Sequence, residues 1–273
     1  MLNLLKSEEE YVRQIVNAMR LERYDLYHLP KYIEDFDYVL NDSPLGEHDT
    51  FTVKSGATKM VIVSQNLPYV IKFPLLCDYC YESLFDSYGH RNGDTRRCYS
   101  WDVDESRETG AYYALERRRG RNYCRAEAEY YALSKFYGIS DIFVETDLFG
   151  IKTTKYDKWP IYIQSKKEDS YDGIKSCWFR EDARTPETEE TLTEIQIGLE
   201  KKYGRYNHWS YFDDTVFLYR MIQYYGEDFT KRVLNFCYLY HINDMHSGNI
   251  GYEEDENGLA KPYIYDYSGF HNG

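Results

Sequence analysis

The stretch HINDMHSGNIG, residues 241–251, places Asp244 and Asn249 five residues apart in a glycine-containing loop. Asp266 lies in IYDYSG, at the end of the last apolar run, where a hairpin would fold it back beside Asn249. A carboxylate in such a loop can accept a proton from an attacking hydroxyl. An Asn oxygen and a second carboxylate can hold Mg²⁺, a hard ion that takes oxygen ligands. Phosphoryl transfer needs these parts: an oriented nucleophile and metal ions on the phosphates. It also needs a cation on the phosphates. Lys72, in YVIKF, faces away from its apolar neighbours on a strand-like run and is the candidate. An acid on a helix would fix that amine, and Glu127 and Glu129 both qualify. Glu129 has Leu133 and Phe136 at i+4 and i+7, the pattern of a core-facing acid; Glu127 has Tyr131 at i+4. The plainer alternative is a capped turn at Asp244 and Asn249, a turn residue at Asp266 and a surface lysine. The arrival of all the parts in chain order favours the chemical reading.

The elements that must position these residues follow from periodicity. Residues 50–73 read as three short strands joined by turns at Ser55-Gly56 and Asn66-Leu67-Pro68, an antiparallel meander. Residues 75–110 are polar, irregular and rich in Cys, Asp, Gly and Arg, and read as an insertion. Residues 122–137 read as a helix closed by Gly138. DIFVETDLFGIKTT and WPIYIQSK supply two more strands, and 166–196 a polar connector or lid. Helices are expected over 211–225 and 227–241, the second with Phe229, Val233, Phe236 and Tyr240 on one face. The loop follows, then a short strand, an acidic turn at EEDENG and a final strand. At the N-terminus, Leu5, Val12, Ile15, Val16 and Met19 fall near helical spacing. The expected division is a helical extension over 1–35, a β-rich unit over 36–165 and a mostly helical unit over 166–273. The missing strand–helix alternation excludes a doubly wound sheet.

Bulk properties narrow the function classes. A net charge of −13 disfavours nucleic-acid binding, which needs clustered cations, and suits a soluble chain or one docking on a basic protein partner. No run of about 18 apolar residues suggests a membrane span. The N-terminus lacks a signal-peptide pattern, and six widely spaced cysteines suit reduced thiols in a cytoplasm. Cys77, Cys80, His90 and Cys98 could together hold zinc, but their irregular spacing favours plain thiols. ERRRGR, residues 116–121, reads as a solvated helix end, and the 31 tyrosines as packing rather than a binding platform.

Lys72, the helix acid, DMHSGN and IYDYSG resemble the protein-kinase-like superfamily. The Asp-x-His-x-x-Asn spacing is closest to the aminoglycoside phosphotransferase and choline kinase branch. The whole set, over residues 50–273, is also similar to small kinase-like proteins encoded by bacteriophages. The resemblance implies an α+β, two-lobed fold with a small antiparallel β N-lobe and a truncated, mostly helical C-lobe. It implies ATP and Mg²⁺ as cofactors, with Lys72 on the α- and β-phosphates and Asp244 as base. Asn249 and Asp266 would hold Mg²⁺, and His246 would brace the loop. The backbone at Gly56, Ala57 and Thr58, with Gln164, would contact the nucleotide. The NYCRA context leans the lysine's partner toward Glu127 rather than Glu129. Several positions depart from the pattern. KSGATKM carries one glycine, Ile242 stands where the family has histidine, DYSG has its glycine one place late, and the chain stops shortly afterwards. They motivate a second expectation: a catalytically weak pseudokinase that acts as a protein-binding module. If phage-encoded, it would be an inhibitor docking its acidic surface on a host protein in the host cytoplasm.

Overall fold

Alternation of apolar and polar residues draws 51–73 into strands, and the structure shows where their two faces go. The computed structural model describes residues 2–23, 40–55, 59–80, 96–99, 126–149, 161–167, 183–204, 215–240, 242 and 245–267. They form an α+β chain with one six-stranded and one two-stranded antiparallel sheet and several helices. Contacts divide the chain into two units: Met1–Ala128 with Thr146–Lys166, and Glu129–Glu145 with Lys167–Gly273.

In the first unit, helix α1 (Lys6–Arg23) precedes strands β1 (Phe51–Ser55), β2 (Lys59–Ser64) and β3 (Tyr69–Cys80). The three strands form the expected meander, with Phe51 opposite Ser64 and Val63 opposite Val70. Strand β4 (Arg96–Tyr99) pairs with the far end of β3. Strands β5 (Thr146–Phe149) and β6 (Ile161–Ser165) complete the order β1-β2-β3-β6-β5. Phe51, Val53, Ile62, Ile71, Ile161 and Ile163 project from one face of this sheet. Val12, Ile15 and Val16 of α1 join them in one buried cluster. Leu5 does not belong to that stripe. It is exposed and sits just before the helix, where its carbonyl accepts the Glu9 N–H and its N–H donates to Glu8.

The reading of 75–110 as an irregular insertion is corrected at 75–80 and 96–99; its other residues lie outside the described ones. Residues 75–80 continue β3, and 96–99 pair with them: Leu75 lies opposite Tyr99, Cys77 opposite Cys98 and Cys80 opposite Arg96. Strand pairing satisfies backbone N–H and C=O groups whatever the side chains, so polar composition concealed it.

Asp49, which the motif reading passed over, ties α1 to the sheet. Its buried carboxylate accepts the Tyr11 hydroxyl at 2.7 Å, the Ser64 hydroxyl, and the N–H groups of Thr50 and Gln65 at 2.7 and 3.0 Å. Removing it takes the acceptor from the buried Ser64 hydroxyl, whereas the Gln65 N–H keeps a second acceptor, the Thr50 carbonyl at 3.1 Å. Asp49→Ala is expected to lower unfolding free energy by about 1–3 kcal/mol in urea titration, the cost of one orphaned buried group. A loss under about 0.5 kcal/mol, the range of an ordinary surface change, would show that the hub does not tie the unit together.

Helix α2, described over 126–136, crosses the boundary between the units. Gly138 closes it at φ 62°, with the Ile139 N–H reaching back to the Ser134 carbonyl at 3.0 Å. That left-handed conformation favours glycine.

The second unit then holds a 3₁₀ turn (Ser140–Ile142), α3 (Pro186–Tyr203), α4 (Thr215–Tyr225), α5 (Glu227–Leu239) and the hairpin β7 (Ile250–Glu254) and β8 (Ala260–Ile264). Helix α3 corrects the reading of 166–196 as a connector or lid over 186–196, while 168–182 lie outside the described residues. Thr185 and Thr188 cap it reciprocally, Pro186 opens it, and Thr188, Leu192, Ile195 and Leu199 are its buried stripe. Aromatic rings cluster around Phe236 here. Phe236 lies 5.2–6.3 Å from the rings of Tyr130, Tyr137 and Phe143, and Phe143 lies 5.0 Å from Tyr267. The tyrosines described in this cluster pack, as expected. Cys237 is a free thiol, pushed up to about 12 by burial. Among the described residues, no helix is long and apolar enough to cross a membrane.

Candidate functional site

Lys72 sits in β3 opposite Val61 of β2 and Tyr162 of β6. Ile71 beside it enters the α1 core, so Lys72 projects to the opposite face with Tyr162 and Gln164. It is 3 % exposed. Glu127 of α2 is 0 % exposed and meets it, Nζ to Oε2, at 3.0 Å. Glu129 is exposed. The periodicity that offered Glu129 as a core-facing acid fails at Phe136, which is 88 % exposed. Ala126, Glu127, Tyr130 and Ser134 are the buried positions of the helix, a small and polar stripe that hydrophobic spacing does not reveal.

Gln164 is buried on the same face and donates to the Thr146 hydroxyl at 2.7 Å. Gly56, Ala57 and Thr58 lie outside the described residues, as do His90 and the run 116–121.

In the second unit the loop leaves α5 under tight control. The Ile242 N–H donates to the Cys237 carbonyl at 2.8 Å, and Ile242 and Met245 are both buried. Asp244, between them in sequence, lies outside the described residues, as does His241. Beyond Met245 the chain turns. The Asn249 N–H donates to the His246 carbonyl, and the Gly248 N–H donates to His246 Nδ1, both at 2.9 Å. His246 therefore braces the loop. A side chain at 248 would place its Cβ 2.7 Å from the His246 ring.

Strand pairing then begins with Ile250 opposite Ile264, which sets Asn249 across from Tyr265. The Asn249 carbonyl accepts the N–H of Tyr265 at 3.0 Å and that of Asp266 at 3.3 Å. Asn249 and Asp266 thus stand at neighbouring backbone positions, Asn249 buried and Asp266 half-buried. Tyr267 anchors the segment. It is fully buried, and its hydroxyl donates to the Val144 carbonyl at 2.9 Å. Tyr265 and Tyr267 were absent from the motif reading. A tyrosine at every second position of PYIYDYSG was the available signal.

Chemically, the first unit holds an oriented buried amine, and the second sets Asn249 and Asp266 at neighbouring backbone positions. Among the described residues no group of three or more His, Cys, Asp or Glu side chains could hold a metal ion. No protein-family model, curated protein or solved structure matches the chain.

Proposed function

We propose that the chain is a kinase-like phosphotransferase that binds ATP with Mg²⁺ and passes the γ-phosphoryl group to an acceptor. The buried Lys72–Glu127 pair carries this reading. Stability alone does not explain such a pair, because apolar residues of similar volume serve as well or better. An oriented charge held inside a fold is instead a common mark of a functional site. The antiparallel sheet bearing the lysine, and the helices leading to a loop and hairpin, suit a two-lobed kinase-like fold.

The residues present fit the proposed cofactors. An amide oxygen and a carboxylate at adjacent positions suit a hard cation, and a lysine suits phosphate. Mg²⁺, when bound, neutralises charge on the transferring phosphates. Lys72 would contact the α- and β-phosphates, with Glu127 orienting its amine. Asn249 and Asp266 would be the metal ligands. Asp244 would take the acceptor's proton, on a loop that His246 holds. Gln164 and the backbone at residues 56–58 would contact the nucleotide.

ATP with MgCl₂ is expected to raise the melting temperature, and ATP with EDTA to raise it much less. Ligand at a hundred times its Kd stabilises by about 2.7 kcal/mol. Lys72→Met is expected to remove most of that rise. The absence of any Mg²⁺-dependent shift at millimolar ATP would rule the reading out. A shift without ADP formation, or without added phosphate in the intact mass, would mark a nucleotide-binding module in place of an enzyme.

A further inference from the structure

We propose that Tyr265 is a positioning residue whose hydroxyl fixes Asn249 beside Asp266 and thereby sets the affinity of that pair for Mg²⁺; this rests on the phosphotransfer reading above. The peptide group joining Gly248 to Asn249 is held at both ends. Its N–H donates to the His246 carbonyl at 2.9 Å, and its carbonyl accepts the Tyr265 hydroxyl. The orientation of that peptide sets the direction in which Asn249 leaves the backbone. Its freest rotation lies at Gly248, where no side chain restricts the backbone.

The bonds that bring Asn249 and Asp266 together are main-chain bonds. One carbonyl accepts two amides, at 3.0 and 3.3 Å, just past the last paired residues of the hairpin. Most residues at 265 could donate the first of them. Only a side chain with a donor at the reach of tyrosine adds the bond to Gly248. Tyr265 therefore grips two successive carbonyls of the loop, one with its amide and one with its hydroxyl. His246 grips the same stretch through the N–H groups of Gly248 and Asn249. Losing the tyrosine hydroxyl removes the restraint on the Gly248 carbonyl and leaves Asn249 directly after an unrestrained glycine.

The test is a MgCl₂ titration of ATP-dependent thermal stabilisation on the parent chain, Tyr265→Phe and Tyr225→Phe. The Tyr225 hydroxyl donates to the carbonyls of Asp141 and Pro262 in the same unit, so this variant controls for loss of a structural hydroxyl. Tyr265→Phe is expected to raise the half-saturating MgCl₂ about fivefold, the equivalent of one hydrogen bond of about 1 kcal/mol. Saturating MgCl₂ should restore the full shift, and Tyr225→Phe should stay within about twofold of the parent by the same measure. A Tyr265→Phe midpoint equal to the parent's would overturn the proposal, as would an equal change in Tyr225→Phe. If the parent shows no Mg²⁺-dependent stabilisation, the phosphotransfer reading falls and takes this one with it. If Tyr265→Phe does not fold, 4-fluorophenylalanine at 265 replaces it. Its fluorine fills the place of the hydroxyl but cannot donate, so its MgCl₂ midpoint should rise as expected for Tyr265→Phe. A midpoint equal to the parent's would overturn the proposal equally.

Discussion

Glu127→Ala is expected to destabilise the protein by about 3–5 kcal/mol, the range for removing one partner of a buried ion pair. The side chains of Lys72 and Glu127 are 4 % and 1 % exposed, so water does not replace the lost carboxylate. A surface pair at the same 3.0 Å would be worth about 0–1 kcal/mol, and burial is what separates the two cases. Lys72→Met should be destabilising for the mirror-image reason. The double variant Lys72→Met/Glu127→Leu should recover most of the loss, because both charges leave together and the replacements fill similar volume. Measured in urea, the cycle of Lys72→Met, Glu127→Leu and the double variant should therefore show a coupling of about 3 kcal/mol or more, well beyond the additivity of independent sites. If Glu127→Ala lost less than about 1 kcal/mol, the pair would behave as a solvated one and could not be the oriented amine the function requires. The cycle also separates stability from function. A double variant as stable as the parent, yet without the ATP-dependent rise in melting temperature, would show that the pair serves the ligand rather than the fold.

How far the sequence disclosed this arrangement depends on whether a feature is local. The meander was legible because β1, β2 and the start of β3 alternate and are separated by turn residues. The hairpin β7–β8 was legible for the same reason, and it implied that Asn249 and Asp266 would be neighbours. Helix α3 was not legible, because its buried stripe is narrow and begins with a threonine amid a run of acids. The far end of β3 and its partner β4 were not, because the pairing is carried by backbone groups over a polar sequence. The choice between Glu127 and Glu129 shows the limit most clearly. Hydrophobic spacing pointed to the residue that is exposed, since Phe136 faces outward and the helix buries Ala126, Tyr130 and Ser134 instead. Asp49 and Tyr265 act through partners from 15 to 38 and 17 residues away respectively, and no local pattern announces such bonds.

Asp244→Ala is expected to reduce ADP formation from ATP and MgCl₂ by about 10²–10⁴-fold, the usual contribution of a positioned general base. Its neighbours explain why the effect should be chemical and not structural. Ile242 and Met245 are the buried anchors on either side of Asp244 in sequence, and the loop beyond is held by His246 and Tyr265. The variant should therefore melt within about 1 °C of the parent, as a change of a few tenths of a kcal/mol implies. In the proposed division of labour the base touches the acceptor, whereas Asn249 and Asp266 are the metal ligands. Asp244→Ala should accordingly keep the Mg²⁺-dependent thermal shift while losing turnover. Asp266→Ala should lose the shift as well. Asp244→Asn sharpens the comparison, because it keeps the shape and removes only the basic oxygen. Turnover at the parent rate in either Asp244 variant would mean that the proton is taken elsewhere. Loss of the nucleotide shift in Asp244→Asn would instead move Asp244 from the acceptor to the metal.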